Sequence, residues 1–287
     1  MKPLIGALFL FVAVSAAGQT KDGIFKLDKE YNINPKGTIK LNSSDAHVTI
    51  TGSKRSSVHI VVYRQVTTKG IVFGQEEFSV DITEDNGNVT YRERSNSSTV
   101  GMVGYHYEKY TIDIETPEGV SLDIQGDDGH YKVTNVEGAI ALDLDDADVS
   151  LMGCSGDSFR FRLDDGDIVM DEGKGSLDVD ADDADVKITN ANFGSISADM
   201  DDGDLIVETS LADAGNYYIN SQDGMIALTI TRGGGKFDIR HGDTRVSTVG
   251  DFRQLERSEN RTSLQLASGT ARVDIRSDDA RVKLIQR

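Results

Sequence analysis

Four acidic segments recur along the middle of this chain: "LDDADVSL" from Leu144, "LDDGDIVM" from Leu163, "ADDADVKI" from Ala181 and "MDDGDLIV" from Met200. Their starts are 19, 18 and 19 residues apart. A period this short and this constant marks an internal repeat. A unit of that length cannot bury an apolar face alone and must stack on copies of itself.

Within each unit the apolar positions alternate. Before the acidic pair they are Ile140, Leu142, Leu144; Phe159, Phe161, Leu163; Leu177, Val179, Ala181; and Ile196, Ala198, Met200. After it they are Val149, Leu151; Ile168, Met170; Val186, Ile188; and Leu205, Val207. Period two means strands with one buried face. Each unit therefore holds two short strands joined at an acidic corner. One corner position is always small, at Ala147, Gly166, Ala184 and Gly203. Counted by twos from the following strand it points inward, where a large side chain would overpack the bend. Weaker copies of the corner occur at Ala46, Gly129, Gly224, Thr244 and Ala280.

Two strands per coil of about 18–21 residues, stacked like with like, describe an all-β parallel β-solenoid. An antiparallel sandwich is the competing fold, and constant spacing disfavours it. Residues 53–115 break the repeat. They read as longer strands or a hairpin insertion extending the first coils. Pro117 and Gly119 mark the turn into the regular acidic coils of 116–230, and basic coils of 231–287 follow. The final strand, with Arg281 and Lys283 outward, is expected to close the stack with charge and block end-to-end association.

The net charge is −18, and it is concentrated. Residues 121–210 carry 24 Asp+Glu against 5 Lys+Arg, whereas 231–287 carry 12 Lys+Arg against 8 Asp+Glu. Such acidity argues against a nucleic-acid partner. At the start, Lys2, the apolar run Leu4 to Val14 and the small residues from Ser15 to Gly18 read as a signal peptide, residues 1–18. Residues 19–35 are a lead-in to a single domain, 36–287. No second apolar run reaches spanning length, so the chain is expected to be exported and not membrane-spanning: periplasmic, at the cell surface or secreted. The single cysteine, Cys154, excludes an intramolecular disulfide and reads as a small residue near a turn.

The run from Ile112 to Leu151, "IDIETPEGVSLDIQGDDGHYKVTNVEGAIALDLDDADVSL", resembles the exported bacterial putative-adhesin family. That family shows a Pro-x-Gly turn followed by strand–Ser/Asp–Gly/Ala–Asp–Ile/Val–strand units. The units here are "DDADV", "DDGDI", "DDADV" and "DDGDL". The match covers residues 36–287 and is weakest over 53–110. The resemblance implies a right-handed β-solenoid, envelope-associated or secreted, and it carries over no catalytic residue and no cofactor.

Three kinds of chemistry are compatible with the residues. The pairs Asp145 and Asp146, Asp164 and Asp165, Asp182 and Asp183, Asp201 and Asp202 would stack about 5 Å apart. Two unit charges that far apart repel by about 0.8 kcal/mol even in water, and Ca²⁺ would relieve this. Solvated carboxylates taking local backbone N–H bonds are the plainer reading. A β-helix carbohydrate enzyme would use Asp with Arg160 and Arg162, which instead read as a cross-strand charge pattern. The histidines His47, His59, His106, His130 and His241 are scattered and form no known metal or catalytic pair. "GYHYEKY", 104–110, presents either Tyr rings for a sugar or a strand with one aromatic face in the core. The expectation is therefore a non-enzymatic envelope binding or scaffold protein with a flat acidic face. Its partner would be an envelope or host-surface protein or glycan. A β-helix carbohydrate-active enzyme and a calcium-dependent structural module are the alternatives.

Overall fold

In this computed structural model the backbone is described for residues 14–15, 23–73, 76–97 and 101–287, and side chains for 23–69, 78–95, 105 and 107–287. The expected signal peptide, 1–18, lies outside these residues apart from the two-residue strand Val14–Ser15, which pairs with Glu76–Asp85. The described residues are all-β, with no helix, in one open sheet folded over a continuous apolar core. No helix among them is long and apolar enough to cross a membrane.

The alternating apolar residues set the architecture. Every alternating apolar position read from the four repeats is buried, the corner Asp pairs are exposed, and of the small corner residues expected inward Ala147 and Ala184 are buried while Gly166 and Gly203 are only half-buried. Ser121–Thr134, Ile140–Met152, Ser158–Asp171 and the first half of Lys174–Asp202 pair in parallel, corner on corner. Leu122, Ile140, Phe159 and Leu177 lie in one line, as do Tyr131, Val149, Ile168 and Val186. Matching residues thus share an environment, as the constant spacing requires, and the antiparallel sandwich is excluded for this tract. Each coil gives one strand to a leading half of the sheet, before the corner, and one to a trailing half, after it.

The two ends of the stack do not follow chain order. Thr38–Ser43 and Ala46–Ser53 pair in parallel with Ser121–Thr134, skipping the sixty-odd residues between. The skipped segment forms the outermost layer. In the leading half, Asn88–Ser97 pairs with Thr38–Ser43, followed outward by Glu76–Asp85 and the short Val14–Ser15, both antiparallel. In the trailing half, Gly101–Pro117 pairs with Ala46–Ser53, followed outward by Ser57–Phe73 and Ile24–Asn32, both antiparallel. Residues 53–115 therefore cap the stack. Their strands run past the corner as paired ribbons because 18 residues separate Arg92 from Thr111, against four between Asn42 and His47. Val120 N donates to Pro117 O (3.4 Å) in the turn that leads back to the regular coils.

The far end repeats this detour. After Asn216–Ser221 and Met225–Arg232 the chain skips one level and forms Gly235–His241 and Arg245–Val249. It then turns back antiparallel through Phe252–Arg257 and Arg261–Leu266. Only then does it enter the vacant level. Ala271–Ser277 lies between Asn216–Ser221 and Gly235–His241, and Arg281–Gln286 between Met225–Arg232 and Arg245–Val249, all parallel. This corrects the expectation that the last strand closes the stack. Arg281 and Lys283 are exposed on an interior level, and the edges are formed by earlier segments. Phe252–Arg257 is one of these edges, exposed and charged, and so a poor template for another sheet.

Candidate functional site

The acidic corner is built from two kinds of bend, which alternate from Ala46 to Gly203 and then give way to Gly on Gly at Gly203 and Gly224. In stacking order the small residue is Ala46, Gly129, Ala147, Gly166, Ala184, Gly203, Gly224, Ala280 and Thr244. The alanines are buried: Ala46, Ala184 and Ala280 are fully covered and Ala147 is 2% exposed. Their methyl groups point into the core, as the sequence implied. The glycines play a different role. Gly166 and Gly203 have φ of +111°, a backbone region that L side chains rarely adopt. A Cβ built on either would lie against the carbonyl oxygen of the alanine one coil earlier, well inside van der Waals contact. The sequence distinguished Ala corners from Gly corners but not the two conformations behind them.

Asp145, Asp146, Asp164, Asp165, Asp182, Asp183, Asp201 and Asp202 are all exposed on the solvent side of these bends. The register brings them together across coils, with Asp146 facing Asp128 and Asp165, and Asp165 facing Asp183. Crowding has a visible electrostatic effect. Loss of solvent, then repulsion from Asp164 and Asp201 on the adjacent coils, holds the carboxyl of Asp182 above its usual range. Asp167 is raised by loss of solvent, then by Asp185 and Asp148, and Asp45 by loss of solvent, then by Asp128. Among the described residues no group of three or more His, Cys, Asp or Glu is arranged to hold a metal ion. The backbone N–H of Asp204 donates to Asp185 Oδ1 (2.7 Å), one of the carboxylate–backbone bonds that solvated corners allow.

The outer face next to the corner is less uniform. His47 and His130, 83 positions apart, pair across adjacent strands with ring centroids 4.8 Å apart. His130 Nδ1 lies 3.4 Å from Asp148 Oδ2. With Thr49, Lys132, Asp167 and Val169 they line a shallow surface groove of about 620 Å³. The signal for this pair was present in the sequence: "SSDAHVTI" and "GDDGHYKV" each place a His directly after the small corner residue. Its meaning depended on knowing that those two coils are neighbours. His59 lies elsewhere, 2.7 Å from Asp28, and His241 bonds Thr262. The position of the His106 side chain lies outside the described residues.

The remaining candidates have structural surroundings. Arg160 and Arg162 face Asp178 and Asp180 at 3.5 and 3.9 Å, in pairs more than half exposed. Such pairs contribute about 0–1 kcal/mol each. Cys154 is fully buried, and burial raises its thiol above the usual range. A thiol so held is poorly ionised and unsuited to nucleophilic attack.

A family model described as Toastrack DUF4097 matches residues 37–284. No curated protein matches the chain. Among solved structures, it is similar to a putative adhesin from Bacteroides fragilis, at 10% identity and a TM-score of 0.46, covering 91% of this chain and 97% of that one. It is also similar to a putative adhesin from Parabacteroides distasonis, at 8% identity and a TM-score of 0.45, with the same coverage. A third, a putative lipid binding protein from Parabacteroides distasonis, is 12% identical with a TM-score of 0.38, covering 91% and 96%.

Proposed function

The chain belongs to the Toastrack DUF4097 family, and from that premise we propose that it is a non-enzymatic, exported binding or scaffold protein of the cell envelope, wound as a right-handed β-solenoid. Its contact surface is the acidic corner. The observation that supports this is the register of exposed Asp pairs on consecutive coils, a line of like charge held by the sheet. A surface of this kind suits a partner that presents many cations, such as a lysine-rich protein surface or a glycan bearing amino groups, and it repels polyanions.

Two measurements test the proposal. Full-length protein should bind immobilised polylysine, and replacing the six residues Asp145, Asp146, Asp164, Asp165, Asp182 and Asp183 with Asn should abolish most of that binding without unfolding the chain. Unchanged binding by the Asn variant would remove the corner from the reading. In intact host cells the protein should be cleaved by added protease, and full protection there would rule out adhesion.

The stacking of Asp146, Asp165 and Asp183 on consecutive coils supports a second reading, in which Ca²⁺ or another cation settles on the exposed pairs from Asp145 and Asp146 to Asp201 and Asp202. Millimolar Ca²⁺ would then raise the melting temperature more than equal ionic strength of NaCl, and chelator would reverse it. Equal effects of the two salts mean screening alone.

A further inference from the structure

We propose that the overhanging ribbon of the outermost layer carries a separate binding strip for an acidic polysaccharide, formed by Tyr63, Tyr105 and Tyr107 with Lys26, Lys69 and Lys109. Ser57–Phe73 pairs with Gly101–Pro117 over its whole length. Ile24–Asn32 supports that pair only as far as Gln65, and Ala46–Ser53 only as far as Thr111. Beyond these points the ribbon leaves the stack. Strand alternation sends the even residues Arg64 and Tyr110 into the core and the odd residues outward. "GYHYEKY" therefore splits between both of its readings. Tyr110 is core, whereas Tyr105 and Tyr107 are 59% and 52% exposed.

The outward strip has a definite composition. Lys69 stands opposite Tyr105, Thr67 opposite Tyr107, and Lys26 opposite Tyr63. The Tyr63 ring lies between two ammonium groups, with Lys26 Nζ at 5.4 Å and Lys109 Nζ at 5.7 Å from its centroid, and its hydroxyl donates to Gln65 Oε1 (2.6 Å). Tyr105 and Tyr107 are spaced about 7 Å apart along the strand, and Tyr63 lies about 13 Å further on, by the rise of a β-strand. Among the described residues none of the three lysines has a carboxylate partner, although Asp and Glu outnumber Lys and Arg by 48 to 30. No Asp or Glu faces outward on the described strip formed by 24–26, 63–69 and 105–111. Glu108 is on the other face, paired with Arg64.

These features specify a ligand. Flat rings exposed in a row accept the C–H faces of successive sugar rings, and Tyr adds a hydroxyl for the rim. Unpaired ammonium groups beside the rings select sugars that carry carboxylate or sulfate. The nearest outward-facing acids, Asp28 and Asp113, lie opposite Val61, one row inward of Tyr63, so Lys69 and Lys109 hold the outer end of the strip. The strip is independent of the acidic corner, and failure of either leaves the other standing.

Affinity electrophoresis of the full chain tests it. Polygalacturonate should retard the protein and dextran should not. Tyr105→Thr with Tyr107→Thr should weaken retardation at least about tenfold, and Lys69→Ser with Lys109→Ser should weaken it and flatten its salt dependence. Tyr105→Phe keeps the ring and the strand, and should bind as the parent does. Circular dichroism melts confirm that each variant is folded. The proposal is overturned if dextran retards equally, if the Tyr→Thr pair binds like the parent, or if Tyr105→Phe is as weak as the Tyr→Thr pair. It is also overturned if a single-stranded oligonucleotide or phosphatidylglycerol vesicles bind more tightly than polygalacturonate.

Discussion

At Gly166 a side chain meets two obstacles at once, the φ of +111° and the Ala147 carbonyl. Gly166→Ala should therefore destabilise by about 1–3 kcal/mol from the backbone alone, and Gly166→Leu by more. The converse change, Ala184→Gly, loses a buried methyl and some backbone stiffness, about 1 kcal/mol. Asp165→Asn, on the solvent side of the same bend, should stay within about 0.5 kcal/mol. Circular dichroism melts rank the four, and a larger loss for Asp165→Asn than for Gly166→Leu would mean that the carboxylates hold a ligand. The crowded acids predict the opposite sign. Asp182→Asn removes a charge repelled by Asp164, Asp201, Asp180 and Asp183 and should raise the melting temperature, with the gain shrinking in high salt. The pH dependence follows. Asp45, Asp167 and Asp182 have raised folded values, so the folded state binds protons that the unfolded state releases, and stability rises as pH falls from neutral toward the carboxylate range. Further down, Asp171 and Asp238 reverse the trend. Bonds from Asn190 and Thr189, and from Arg261, hold them low, and protonation loses that stabilisation. A melting temperature that falls steadily from pH 7 to pH 3 would contradict this.

For the element, the coil, the alternation of Ala and Gly corners from Ala46 to Gly203 makes the pair of coils the repeating structural unit of that tract. Deleting residues 140–176 removes two corners and sets Ala184 on Gly129, a contact of the kind that Ala147 already makes. Deleting 158–175 removes one corner and sets Ala184 on Ala147, a stack that occurs nowhere among the described coils. The two-coil deletion should melt cooperatively near the parent temperature, and the shorter one well below it, although it removes less core. The sequence was legible at this scale because neighbouring coils impose like residues on like positions. Ile140, Phe159 and Leu177 show the register before any coordinates are known. The outer layer was not legible. Nothing local in "SSVHIVVYRQV" says that it pairs with "YEKYTIDIE", because antiparallel partners need complementary faces and not matching residues. The His47–His130 pair was missed for the same reason. Each coil was visible, but which coil lay on which was not.

In the whole molecule both ends are closed by the same manoeuvre, an outward detour followed by a return to an inner level. Chain order suggested a stack whose last segment is its last coil, and the offset of 56 residues between Tyr217 and Val273 equals three repeat periods, so it reads as three successive coils and hides that the two are neighbours. The placement has a measurable result. Terminal residues ordinarily fray, yet the amides of Ala271–Ser277 should be among the slowest to exchange with solvent, because strands bond them on both sides. Fast exchange there, with slow exchange in Gly235–His241, would show that the inner level is not occupied in solution. Loss of residues 271–287 should cost more stability than loss of the edge strand Phe252–Arg257, since it leaves two facing levels unpaired.

The buried level also determines how the molecule carries load. A pull on Arg287 acts on a backbone bond to Ile230 O and an ion pair to Glu208, and beyond them along a strand flanked on both sides. The bonds on either side lie across the direction of pull and must give way together, not one after another. An edge strand at the same end would peel. Tension applied through Arg287 therefore meets a strand held on both flanks, and the force that extracts it should exceed the force that peels the edge strand Phe252–Arg257.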